Sequence, residues 1–253
     1  MKDRNNSDIN STLSTITTNQ VGFYSAILTT LITMITFGIA LTAVPISGPF
    51  CPEGCIEYPY LDTLSQFPKD YLWMFPATLL VLVYVILMTV IHSIATNQRK
   101  IFSQIGLSFS IIACVILLAD YFIQFSVIPV SLSKGETESI SLLTQYNPHG
   151  VFIVLEELGF LMMSLSFLFI SLIFSKKTRL ETAVQWVFLV GFILTIVSLI
   201  LIIIGYGIDR SYRFEVVVIS IDWLVLIING ILLSIVFRRR FKAERELKLS
   251  TTE

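Results

Sequence analysis

Four acidic side chains lie inside stretches of sequence that are otherwise apolar enough to cross a bilayer. They are Asp120, Glu156, Glu157 and Asp222, and no Lys or Arg lies in any of these stretches. A carboxyl group in hydrocarbon costs at least roughly 2.5–3.5 kcal/mol, so such a residue typically marks a binding site, an ion pathway or a buried pair. The chemistry that these residues support is proton exchange or the binding of a cation.

Three further residues are predicted to belong to the same site. His149 precedes Glu156 by one heptad and is expected on the same helical face, where an imidazole can pass protons. Asn229 follows Asp222 by one heptad, and the Trp223 ring is expected to line a pocket beside Asp222. His149 and Glu156 would lie about 10 Å apart along the axis and cannot share one metal ion, and the sequence has no HExxH or Cys–His motif.

The four carboxyl groups are predicted to lie at one depth in the membrane. Counting from the ends of the predicted helices, at 1.5 Å per residue, places them roughly 9–12 Å below the outer boundary. Three helices would then place acidic side chains at the same depth, which favours an outward-opening acidic pocket. The alternative is that these acids hydrogen-bond to each other and to Ser, Thr, Tyr121 or Asn229, and only hold the helices together. Arg210 or Arg213 is also close enough in the sequence to reach Asp222.

The elements that must position these residues are six apolar helices. The chain of 253 residues is 55% hydrophobic and only 14% charged, and about 20 apolar residues span 30 Å of hydrocarbon. Helices satisfy every backbone polar group in lipid, so we expect an all-α, six-helix bundle. A disordered tail (1–20) is expected before it and a basic tail (238–253) after it. The predicted spans are 21–44, 71–95, 101–128, 150–174, 183–206 and 215–237.

The basic residues predict the orientation of this bundle. Thirteen of the 17 Lys and Arg residues lie in the two terminal tails and in the turns near Arg99 and Lys176. The positive-inside rule then places both termini in the cytoplasm of a multi-pass cell-membrane protein. The first span is expected to be retained, because its apolar run is longer than the core of a signal peptide.

The longest outer loop, 45–70, holds two of the three cysteines. Cys51 and Cys55 are separated by Pro-Glu-Gly, which favours a tight turn, and a disulfide is expected on this side of the membrane. The aromatic content of the loop favours a segment that lies at the membrane interface, with a lid over the bundle as the alternative. Trp73 and Trp186 are expected to act as interface anchors.

These observations favour binding or transport of a small solute that is cationic or coupled to protons. An alternative is a membrane-embedded enzyme in which a buried acid pair exchanges protons with a lipid-like substrate. Asp222, Trp223, Asn229 and the Glu pair resemble, in residue type, the acids and Trp that sterol isomerases of the emopamil-binding type carry inside a helical bundle. A third alternative is a non-catalytic accessory or sensor subunit.

Composition and missing motifs exclude several other classes. The net charge of −1 gives no sign of nucleic-acid binding. The sequence has no nucleotide-binding motif and no catalytic triad motif, which excludes a self-contained ATP-driven pump or serine hydrolase. We expect the bilayer and a small molecule, ion or lipid as partners, with no cofactor. The sequence leaves homo- or hetero-oligomers open.

Overall fold

The chain folds into an all-α bundle. The computed structural model describes residues 2–42, 45–174 and 178–252, and its side chains within 17–42, 45–174 and 178–246. Within these residues no strand occurs, and six helices are long and apolar enough to span a membrane. The eight α-helices are α1 (Lys2–Ala40), α2 (Met74–Ser93), α3 (Lys100–Ser126), α4 (Ile128–Ser133), α5 (Ile140–Leu143), α6 (Val151–Ser171), α7 (Arg179–Tyr206) and α8 (Arg213–Thr252).

The six long helices form a ring in the order α1, α2, α3, α6, α7, α8, and α6 also packs against α8 across its centre. Successive long helices run in opposite directions, so the bundle has two different ends. We call the end with the segments 45–73 and 127–150 the loop end. The opposite end, which holds the segment 94–99, residues 172–174 after α6, and the outer parts of α1 and α8, is the terminal end.

Small and polar residues bring α1 close to α8. Thr29, Thr33 and Thr36 are fully buried, and each hydroxyl donates a hydrogen bond to a carbonyl of the preceding turn at 2.6–2.8 Å. Their polar atoms are therefore satisfied within α1. A side chain at Gly230 of α8 would meet Thr30, so this glycine permits the close approach of the two helices. The threonine stripe of α1 is thus a packing surface.

The segment 45–73 covers part of the loop end with three short 3₁₀ helices, Gly48–Phe50, Leu61–Gln66 and Lys69–Tyr71. The sulfur atoms of Cys51 and Cys55 are joined as a disulfide, which confirms the predicted pairing. Of the two predictions for this segment, the contacts with the bundle described below favour the lid.

The backbone differs from the sequence-based boundaries mainly at the termini. Residues 2–20 were predicted to be a disordered tail, but α1 begins at Lys2, so their backbone is helical. At the other end α8 continues to Thr252, well beyond the predicted end of the last span at residue 237. Apolar periodicity marks where a helix enters the membrane, and a helix can extend past that point without an apolar sequence.

Candidate functional site

A cavity of about 270 Å³ lies at the loop end, between α1, α6, α8 and the covering segments, with Trp73 lining it just before α2 begins. Two acidic residues, Asp70 and Glu215, line it from different sides. Among the described residues that line the cavity, none is Lys or Arg. The cavity therefore combines negative charge with a surface that is otherwise mostly apolar.

Aromatic rings form much of the cavity wall. Trp73 and Trp223 contact each other edge to face, with ring centroids 6.3 Å apart, and Phe37 packs against Trp223 at 5.5 Å. Phe152 completes this wall from α6. Trp223 was predicted to line a pocket, and it does lie on the cavity. Trp73 was predicted to be an interface anchor, but it is half-buried and lines the cavity instead.

Two tyrosine hydroxyls attach the covering segments to the bundle. Tyr212 donates a hydrogen bond to the Ser47 carbonyl (2.9 Å) and accepts one from the Phe50 amide (3.2 Å). Tyr146 donates to the Asp70 carboxylate at 3.3 Å. Burial raises the pKa of both tyrosines, so both hydroxyls remain protonated and able to donate near neutral pH. These bonds hold the segment over the cavity.

Behind the cavity wall, three helices bring acidic groups together. Glu156 of α6 is fully buried, and its carboxyl faces Glu215 of α8 and Tyr121 of α3, with Asp120 nearby. Glu156 interacts with both the Glu215 carboxyl and the Tyr121 hydroxyl. Apart from these mutual contacts, both Glu156 oxygens and the Tyr121 hydroxyl lack a hydrogen-bond partner among the described residues. We call Asp120, Tyr121, Glu156 and Glu215 the carboxyl cluster.

Glu157 follows Glu156 directly but has a different partner. Its carboxylate forms a salt bridge with Arg210, in the connection between α7 and α8, at 2.6 Å. Adjacent helical residues point about 100° apart, so Glu156 faces Glu215 while Glu157 turns toward Arg210, still near enough to Glu215 for their charges to interact. Arg210 or Arg213 was one possible partner of Asp222, and Arg210 pairs with Glu157 instead. Arg213 does not reach Asp222 either, because it bonds to backbone carbonyls and lies over the Tyr206 ring.

Asp222 occupies a third environment, one heptad beyond Glu215 on α8. It is fully buried and accepts a 2.7 Å hydrogen bond from Ser164 of α6, whose hydroxyl is also 2.8 Å from that of Thr195 in α7. Asn229, a further heptad along, is buried with no hydrogen-bond partner for its amide among the described side chains and backbone. The predicted acidic layer is therefore three separate environments.

His149 does not join any of these groups. It lies on a turn before α6 begins, with its side chain exposed, so it does not share a helical face with Glu156. Its prediction assumed that helical geometry continues back to residue 149, but α6 begins at Val151. The backbone instead forms a turn at Pro148, where the Asn147 side chain accepts a hydrogen bond from the His149 amide at 3.1 Å.

Sequence reasoning missed the two acids that line the cavity. Glu215 was placed as the first residue of the last span, and a charged residue at such a boundary is ordinarily solvated at the interface. Asp70 was placed in the outer loop for the same reason. A usable signal was present in α8, where Glu215, Asp222 and Asn229 recur every seven residues and so share one face.

The fold defines a multi-pass, all-α membrane protein, and its described site is an aromatic, acidic cavity near one end. Comparison with family models, curated proteins and solved structures gives no match for this chain. The function is therefore argued from the site itself.

Proposed function

We propose that this protein binds a small organic cation in the cavity at the loop end, as the recognition step of transport across the membrane. The observation that carries the proposal is the lining of the cavity, in which two carboxylates and several aromatic rings occur without a Lys or Arg. A ligand must supply the positive charge that the protein does not place there.

The aromatic wall suits a cation that carries carbon as well as charge. The face of a Trp or Tyr ring attracts a cation within about 6 Å, and the attraction reaches about 2 kcal/mol when both groups are desolvated. Trp73, Trp223 and Tyr212 can provide such faces, while Glu215 neutralises the charge. The volume of about 270 Å³ is at the small end of ligand pockets. An alkylammonium ion fits these requirements better than a bare metal ion, which prefers oxygen ligands.

We further propose that the cavity faces the outside of the cell. The terminal end carries most of the basic residues, and the positive-inside rule assigns that end to the cytoplasm. In this orientation both termini are cytoplasmic, and the disulfide lies on the side where oxidising conditions occur. A solute from outside would then enter between the segment 45–73 and α8.

Binding of tetramethylammonium and of choline to the full chain in nanodiscs, measured by titration calorimetry, tests the proposal. We expect saturable binding that Glu215→Gln weakens by about 10- to 100-fold, since a charged partner contributes roughly 1.5–3 kcal/mol. Trp223→Leu should weaken it by about 2- to 30-fold through the lost ring face. Glu57→Gln, an exposed acid of the same loop end, and Trp186→Leu are the matched controls and should bind as the parent does. No binding of either cation, or equal loss in the controls, would refute the proposal.

A second candidate function is acid–base catalysis on a lipid-like substrate. The specific observation in its favour is that the Glu156 and Glu215 carboxyls face each other beside a mostly apolar cavity. Such a pair can deliver a proton to one carbon of an alkene and remove one from another. Conversion of an added sterol by the purified protein, lost in Glu215→Gln, would support this candidate over cation binding.

A further inference from the structure

One acid of the carboxyl cluster, Glu156, has no direct role in the proposed binding of the cation. Glu156 does not line the cavity, but it lies directly behind Glu215, which does. It is fully buried, and outside the carboxyl cluster neither of its oxygens has a hydrogen-bond partner among the residues that the structure describes. A buried polar group without a partner is unfavourable unless the site gains something else from it.

The groups that face Glu156 supply no positive charge. From α3 these are Asp120 and Tyr121, and from α8 there is Glu215, with Tyr212 near the latter. On its own helix the neighbour is Glu157, whose charge is already neutralised by Arg210. Carboxylates that interact in a buried site repel each other when all are ionised, which favours a cluster that holds a proton when the cavity has no cation.

We propose that binding of the organic cation releases this proton, so that the protein exchanges one cation for one proton. The inference rests on the proposed function. In the empty site a proton is shared by Glu156 and Glu215. When the cation binds next to Glu215, the O–H bond of the carboxyl that holds the shared proton breaks. The proton leaves through the mouth of the cavity to water. The net charge of the cluster and its ligand is then unchanged.

In this exchange Glu156 is a positioning residue that holds the proton without touching the cation. Its carboxyl allows Glu215 to be neutral when the cavity is empty and ionised when it is filled. Because proton and cation compete, the affinity for the cation should fall as the pH falls, by up to about tenfold per pH unit for one exchanged proton. A site without this exchange would show no such slope.

The test is titration calorimetry of tetramethylammonium with the full chain in nanodiscs, in phosphate and in HEPES at the same pH. The two buffers differ in ionisation enthalpy, so the difference in observed heat counts the protons released. We expect about one proton per cation in the parent protein. Glu156→Gln should keep cation binding but release no proton and lose the pH dependence, because its amide cannot take part in the exchange.

Glu57→Gln is the control and should keep both the binding and the released proton. Binding by the parent protein without proton release would overturn the exchange and leave the proposed function intact. Absence of binding would instead refute the proposed function, and the exchange with it. If Glu156→Gln fails to fold, the proton count of the parent protein alone decides the question, and Tyr121→Phe should retain that count.

Discussion

Among the described residues, the terminal end pairs its charges, whereas the loop end holds one ion pair, Glu157–Arg210, beside a group of acids that have no cationic partner. At the terminal end, the side chains of Arg99 and Lys100 cap the C-terminal ends of two helices. Arg99 donates to the carbonyls of Leu172, Ile173 and Phe174 at 2.7–3.1 Å, beyond the C-terminus of α6. Lys100 donates to the His92 carbonyl at 2.8 Å. Toward the loop end, by contrast, the carboxyl cluster gathers acids around a fully buried glutamate that has no hydrogen-bond partner outside the cluster within the described part of the chain.

Charged side chains that have a partner stabilise the fold, whereas the acids of the carboxyl cluster oppose it. The last carbonyls of a helix have no partner within the helix, so a cation that binds them stabilises the end of the helix. A buried cluster of acids without such partners gives no comparable stabilisation. The stability of the bundle is therefore expected to depend strongly on the paired charges and weakly on the cluster, while ligand binding should show the reverse.

The largest expected effect on stability is at the one described ion pair of the loop end. Arg210→Ala leaves Glu157 buried and unpaired, and removing one partner of a fully buried pair costs about 3–5 kcal/mol. We expect a loss of about 2–3 kcal/mol, because the Arg210 side chain is 31% exposed. The free energy of reversible unfolding in mixed micelles measures this loss of stability. The double variant with Glu157→Gln should recover part of the loss, and an equally unstable double variant would contradict the ion pair.

A smaller loss is expected at the terminal end. Arg99→Ala removes the donor for three carbonyls at the end of α6, and we expect the free energy of unfolding to fall by about 1–3 kcal/mol. The same unfolding assay applies, with the exposed Arg239→Ala as a matched control that should change stability by less than about 0.5 kcal/mol. Equal effects of the two substitutions would show that the Arg99 contacts do not stabilise the helix end.

The smallest effect on stability is expected within the carboxyl cluster. Asp120→Asn replaces a buried carboxyl, which has no cationic partner among the described residues, with an amide of the same shape, so the melting temperature should remain within a few degrees of the parent value, which corresponds to about 1 kcal/mol. Cation binding should nevertheless change, since an amide can neither carry nor share the charge of the cluster. Asp62→Asn, at an exposed position, is the control for both measurements. A large loss of stability would show that Asp120 is a structural partner rather than part of a binding site.

Much of this architecture could be predicted from sequence, since hydropathy alone locates six spans with boundaries that are mostly a few residues off. The partners of the acids could not be predicted in this way. Glu156 and Glu157 are equivalent in sequence, and only the rotation of α6 decides which one faces Glu215. Arg210 has a long side chain that can reach either Glu157 or Asp222, depending on how α7 connects to α8. These choices depend on packing between helices that are far apart in the chain.

The positions of the tryptophans provide a label-free optical reporter. Two of the three, Trp73 and Trp223, line the cavity, while Trp186 is 51% exposed on the outer surface of the bundle. Emission from the first two should respond to anything that enters or leaves the cavity. Trp186→Phe would remove the remaining background, so that the intrinsic fluorescence of the unmodified site follows occupancy in real time.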